Sequence, residues 1–285
     1  PYIYVSGGRA GKRSLDTLER YDPAEDIWEA LPPMSHKRNG AAAGILAGFF
    51  YVCGGRTSNE PAMSSVERYD PVAGYWEDLP ELECGRWGAS AGVLGAGLYI
   101  CGGFAESGEA LSSVERFDAD GIWEAPPSTL ERLALSAACT AEGMLYLCGG
   151  RDRWNRTGAV SRFNPRAAVW QAMPRLQETR SHASAASIAG KIYVCGGLDD
   201  TGYELSSVEC FNIKAEFWEL IVPMNRARSS ATVVSVANRL FIFGGMLDEE
   251  SLSDMEQFDP WEGRWIPLSP MQQRRSAAAA AASPG

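Results

Sequence analysis

Six Gly-Gly doublets and six tryptophans held in one register predict an all-β fold, a six-bladed β-propeller with four antiparallel strands per blade, spanning residues 1–285 as a single domain. The doublets are Gly7-Gly8, Gly54-Gly55, Gly102-Gly103, Gly149-Gly150, Gly196-Gly197 and Gly244-Gly245, at intervals of 47 or 48 residues. Trp28, Trp76, Trp123, Trp170, Trp218 and Trp265 each follow the first glycine of a doublet by 21 or 22 residues. Two markers in one register exclude a chance repeat.

Each unit divides into four extended runs. In the fifth they are Arg180 to Ser187, Lys191 to Cys195, Ser207 to Phe211 and Phe217 to Leu220, separated by turn residues. The doublet frees the backbone where the second strand ends. The Asp-Pro of Tyr21-Asp22-Pro23, Tyr69-Asp70-Pro71 and Phe258-Asp259-Pro260 marks the turn into the tryptophan strand. The tryptophan ring is large enough to fill the gap between neighbouring blades.

Closure follows from arginine spacing. Arg38, Arg86, Arg132, Arg180 and Arg228 open a first strand 16 or 17 residues before the next doublet, whereas Arg275 has no doublet after it. Joining Gly285 to Pro1 on paper places Gly7 17 residues beyond Arg275, so Ser276 to Ser283 is expected to supply the innermost strand of the N-terminal blade. Read alone, the alanines at 277–282 favour a helix. Register makes them a strand.

These residues carry a family resemblance. The doublet, the segment Ser65-Val66-Glu67-Arg68-Tyr69-Asp70-Pro71 and the spaced tryptophan resemble the kelch repeat, especially the propellers of kelch-like proteins, along essentially the whole chain. Ser161 replaces the repeat glutamate in blade four, and Asn164 and Asn212 replace the aspartate. The resemblance implies a protein-interaction module, similar to the substrate-recognition half of BTB-kelch adaptors of cullin-RING ubiquitin ligases. In those proteins an N-terminal BTB domain and a helical linker contact the ligase, so this chain is expected to be excised from a longer protein. An actin-associated scaffold is the alternative, and a propeller enzyme the third reading.

Composition bounds the partners. A formal charge of −10 and a pI near 4.9 argue against nucleic acid or an anionic membrane as ligand. The most apolar stretch, Gly40 to Gly55, is broken by Gly44 and Gly48 and reads as strands rather than a membrane span. Of seven cysteines, Cys53, Cys101, Cys148 and Cys195 occupy the same place before a doublet and read as small buried hydrophobes, which suits a reducing, cytoplasmic or nuclear location.

Catalysis is not expected, nor any cofactor or metal. A copper site would have only His36 and His182 for imidazole ligands, and no Ser-x-Asp-x-Gly-x-x-Trp box supports a sialidase. Gly7 to Arg13 resembles a phosphate loop only superficially, because Arg13 stands where serine or threonine is needed. Asn155-Arg156-Thr157 matches a glycosylation acceptor, and Cys84 lies in a charged loop as a candidate reactive thiol.

In kelch-like proteins the residue after the doublet and those after the strand-opening arginine face a shared pocket around the channel. Carried over by position, the first set is Arg9, Arg56, Phe104, Arg151, Leu198 and Met246. The second is Asn39, Trp87, Leu133, Ser181, Ser229 and Ser276, with His182 beside Ser181. Arginines and aromatic rings dominate interface hot spots, and arginine's paired donors favour an acidic peptide. Basic loops (Arg9, Lys12, Arg13, Arg56, Arg151, Arg153, Arg156) oppose acidic ones (Asp199, Asp200, Asp248, Glu249, Glu250), and Trp154, outside the tryptophan register, is a candidate exposed anchor. The repeated arginines are expected to be structural, pairing with Glu19, Glu67, Glu115, Glu209 and Glu256.

Overall fold

A computed structural model describes residues 1–58, 61–118 and 120–283. Among these residues the chain forms six four-stranded antiparallel sheets and two two-stranded ribbons. Blade two shows the pattern: Ala42–Leu46 innermost, then Phe49–Cys53, Val66–Asp70 and Tyr75–Leu79 outermost. Strand two of every blade is almost wholly buried because it lies mid-sheet and packs on both faces, which explains its continuous apolar runs such as Ile192–Cys195.

Both chain ends meet in blade one. Ala279–Ala282 pairs with Ile3–Ser6, Ala282 opposite Ile3 and Ala279 opposite Ser6, and Ser283 N–H donates to the Tyr2 carbonyl at 2.8 Å. The alanines are therefore a strand, as register predicts: pairing and packing against Tyr4 and Val5 override their helical propensity. Deleting residues 276–283 exposes the edge of Ile3–Ser6 and opens the ring. A fall in Tm of about 10 °C or more is expected by thermal denaturation, since 1 kcal/mol corresponds to about 2–4 °C in a domain of this size; an unchanged Tm contradicts the closure.

Neighbouring blades are joined by a repeated buried ion pair. Arg38 N–H donates to Leu15 O, and its carbonyl accepts from Gly8 N–H, both in blade one. Its side chain reaches into blade two, donating to Gly54 O (2.7 Å), Ser65 O (3.0 Å) and Glu67 Oε1 (2.5 Å), while Glu67 Oε2 accepts from Ser35 N–H at 2.7 Å. The same arrangement joins Arg86 to Glu115, Arg180 to Glu209, Arg228 to Glu256 and Arg275 to Glu19, all buried. The doublet makes room for it. Gly54 has φ +64°, and a Cβ there would lie 2.5 Å from the Arg86 carbonyl, so no other residue fits.

Arg132 is a correction. Its side chain is 66% exposed, and Leu133 occupies the buried slot, its carbonyl accepting from Gly103 N–H as the arginines' carbonyls do elsewhere. The slot's missing partner is Ser161, so both halves of the ion pair are replaced at one junction, which avoids a buried unpaired charge.

Each tryptophan bridges blades as expected. Trp76 packs on Tyr69 with centroids 5.4 Å apart, and its indole N–H donates to Pro32 O of the preceding junction at 2.8 Å; Trp28, Trp123, Trp170, Trp218 and Trp265 make the equivalent bond. At the turn before it, Asp70 Oδ1 accepts from Val72 and Ala73 N–H, and Asn164 and Asn212 cap their turns in the same way, which is why those departures are tolerated. The fifth unit's first strand begins at Ser184 rather than Arg180, because Ser181 leaves the ladder for an isolated bridge with Leu198 and His182 turns to positive φ at the channel.

Candidate functional site

The two residue sets carried over by position lie side by side. Isolated β-bridges pair Arg9 with Ser276, Asn39 with Arg56, Trp87 with Phe104, Ala134 with Arg151, Ser181 with Leu198 and Ser229 with Met246. The residue after each doublet thus faces the residue after the junction arginine, one pair per junction, in a belt around the channel. Leu133 is corrected here too: the belt position belongs to Ala134, displaced by one because Leu133 fills the arginine slot.

Inside the belt lies a closed ring of backbone hydrogen bonds. Gly88 N–H donates to Gly40 O, Leu135 to Gly88, His182 to Leu135, Ser230 to His182, Ala277 to Ser230 and Gly40 to Ala277, at 2.7–2.9 Å. All six residues have positive φ, 51–64°, four of them without the freedom of glycine. Their strain persists because each bond locks the next. The ring bounds a cavity of about 120 Å³ lined by small residues, Leu135 and His182.

Above the ring, the arginines converge. Arg56 lies 3.5 Å from the Trp87 ring centroid, and Trp87 packs on Phe104 with centroids 4.8 Å apart. Phe104 is only 6% exposed, in a small cluster with Ala110 and Ala134, so it supports Trp87 from beneath rather than presenting itself at the mouth. Ser181 and Ser229 are likewise buried. Asn39 Nδ2 donates to Ser14 Oγ at 2.8 Å and to Arg56 O at 3.0 Å, which fixes the Arg56 backbone. Arg9 is steered by Ser276 Oγ (3.4 Å) and Met246 Sδ (3.0 Å), and Arg151 by the carbonyls of Asp152 and Arg153.

A further arginine joins them. Arg156 Nε donates to Ser181 Oγ at 3.0 Å, because the blade-four loop folds back through the Arg151–Arg156 bridge. Nothing in the repeat register marks this position; it depends on the loop's path. Among the described residues, no carboxylate forms an ion pair with Arg9, Arg56, Arg151 or Arg156. Burial and then the nearby Arg9 charge lower the Arg56 pKa below its ordinary value.

The surrounding loops are exposed. Trp154 is 77% exposed beneath the Arg153 guanidinium, 5.0 Å from its centroid. Gly7 to Arg13 forms a ribbon of Arg9–Ala10 with Arg13–Ser14 rather than a loop leading into a helix. His36, Glu67 and Asp78 approach one another, but Glu67 already serves Arg38 and Ser35, so a cation there would face the Arg38 guanidinium. The seven cysteines are free and six are buried, with burial pushing Cys53, Cys101, Cys139 and Cys195 up to about 12 and Cys210 to about 11. A maleimide is expected to label the native protein at Cys84 alone and the denatured chain at all seven sites, counted by intact mass. A second rapid native adduct contradicts this.

Comparison with known proteins agrees with this architecture. The KLHDC2/KLHL20/DRC7 Kelch-repeats domain matches residues 40–227 and 123–283, and the Kelch motif matches residues 1–35. The chain therefore belongs to the kelch-repeat family, whose propellers serve mainly as non-enzymatic protein-interaction modules. It is similar to Kelch-like ECH-associated protein 1A of Danio rerio, 43% identical over 54 residues, which are 19% of this chain and 9% of that protein. It also resembles Kelch-like protein 35 of Mus musculus, 40% identical over 53 residues, 19% of this chain and 9% of the relative. The matched stretch is thus about a tenth of the length of these relatives. The solved structure described as "Structure of YjhT" shares the fold, with a TM-score of 0.78 at 15% identity, covering 94% of this chain and 98% of the other.

Proposed function

We propose that this propeller is the partner-recognition domain of a cullin-RING ubiquitin-ligase adaptor, and that its channel mouth holds an acidic segment of the partner protein. The observation that carries the reading is the convergence of Arg9, Arg56, Arg151 and Arg156 without ion-pair partners among the described residues. Cations held together without counter-charge repel one another, and a ligand carboxylate relieves that repulsion while accepting paired guanidinium donors. Trp87 adds a flat apolar wall beside them. The buried Ser229 hydroxyl, which has no hydrogen-bond partner among the described residues, is a further group that a ligand could satisfy.

The ligase connection rests on kinship with kelch-like proteins. It requires a BTB domain in the parent protein. The test is affinity capture from lysate with the propeller and with an Arg9→Ala, Arg56→Ala, Arg151→Ala variant of matched Tm, read by mass spectrometry, alongside cullin co-precipitation by the parent protein. Partners retained only by the unmodified propeller, and carrying Asp/Glu clusters, support the reading; equal capture by both overturns the site, and absence of cullin overturns the ligase role.

A further inference from the structure

The hydrogen-bonded ring at the channel throat contains one titratable side chain. His182 is the ring residue of blade five, and its companions Gly40, Gly88, Leu135, Ser230 and Ala277 carry no ionisable group. Its Nδ1 lies 3.0 Å from Ser181 Oγ, and the same oxygen accepts from Arg156 Nε, so the imidazole is wired to a mouth arginine through one hydroxyl. The charges that bear on it are the guanidinium groups of Arg151, Arg156, Arg9 and Arg56, contributed by loops of blades four, one and two. Burial, reinforced by these four cations, lowers its pKa to about 4, and the ring is neutral near pH 7.

A carboxylate entering the mouth offsets the part of that shift due to the four cations and offers the imidazolium a direct counter-ion, whose attraction opposes the cost of burying the charge. The cavity of about 120 Å³ admits such a group. We infer that the throat is a proton-coupled anion seat, in which a carboxylate drawn in by the four arginines is captured together with a proton on His182. This rests on the reading of the mouth as an acidic-peptide site and adds its specificity-determining residue and its pH dependence. Because the bound complex holds a proton that the free protein lacks, affinity rises as pH falls through the bound-state pKa and levels off only below the free-state value.

His36 and His182 are the only imidazoles in the chain, so their NMR titrations are separable, with His36→Gln assigning the pair. The probe is a fluorescein-labelled peptide of alternating Glu and Gly, at constant ionic strength. Without peptide, the His182 resonance is expected to stay unprotonated down to about pH 5. With saturating peptide, its midpoint moves to about 6.5 or above, and anisotropy reports about tenfold tighter binding at pH 5.5 than at pH 8. His182→Asn, whose side chain tolerates positive φ, is expected to fold and to bind with an affinity that no longer rises as pH falls; His36→Gln keeps the pH dependence. Binding with an unmoved His182 midpoint, or pH dependence persisting in His182→Asn, overturns the inference alone. No binding at any pH overturns the acidic-peptide reading and the inference with it.

Discussion

Glu67→Ala is expected to destabilise the propeller by about 3–5 kcal/mol, the cost of leaving a buried guanidinium without its carboxylate. Arg38 and Glu67 are both fully buried, at 0% side-chain exposure, so water cannot replace the lost partner. The Ser35 N–H loses its acceptor as well. Thermal unfolding should show Tm lower by about 10 °C or more. Ser161→Ala, at the equivalent place in blade four where Leu133 faces no charge, is expected to stay within about 1 kcal/mol of the parent. Leu133→Arg alone buries an unpaired cation and destabilises, and adding Ser161→Glu recovers most of the loss, a coupling that a double-mutant cycle reads directly. Equal effects of Glu67→Ala and Ser161→Ala contradict the ion pair as the joint between blades.

The Arg9→Ala, Arg56→Ala, Arg151→Ala variant is expected to lose acidic-peptide binding by about a hundredfold or more. Each charge-assisted hydrogen bond contributes about 1.5–3 kcal/mol, so losing even two exceeds the 2.7 kcal/mol or so that a hundredfold represents. None of the three side chains takes part in the buried arginine–glutamate pairs, and the relief of their mutual repulsion offsets the lost Arg9–Met246 and Arg56–Trp87 contacts, so Tm is expected to change little. Binding by the unmodified propeller should weaken with added salt, because the attraction between a cationic mouth and an anionic ligand is screened. Isothermal titration at two ionic strengths checks both points. Full affinity in the variant sinks the assignment of the mouth.

What could be read from the residues follows from where backbone geometry leaves no choice. The doublet is legible because a Cβ at Gly54 meets the Arg86 carbonyl, and the junction arginines because their buried partner Glu recurs 28 or 29 residues on. Arg132 misleads because a neighbouring arginine sits one residue from a slot that leucine fills, and the absent glutamate at Ser161 was the available clue. The belt pairs followed from repeat position, but exposure within the belt did not: Phe104 is buried by Trp87, its neighbour across a bridge. Arg156 reaches the mouth only through the fold-back of its own loop. The left-handed ring was hinted at by Gly40 and Gly88 alone, since Leu135, His182, Ser230 and Ala277 carry no sequence signature of positive φ.

A partner's acidic segment is proposed to bind at the arginine-lined channel mouth. A crystal structure of the propeller with the tightest acidic peptide recovered from its captured partners tests it most directly. The expected result is ligand carboxylates within hydrogen-bonding distance of the guanidinium groups of Arg9, Arg56, Arg151 or Arg156, with a side chain against Trp87. A peptide seated instead on the outer strands or on the opposite face of the ring contradicts the account.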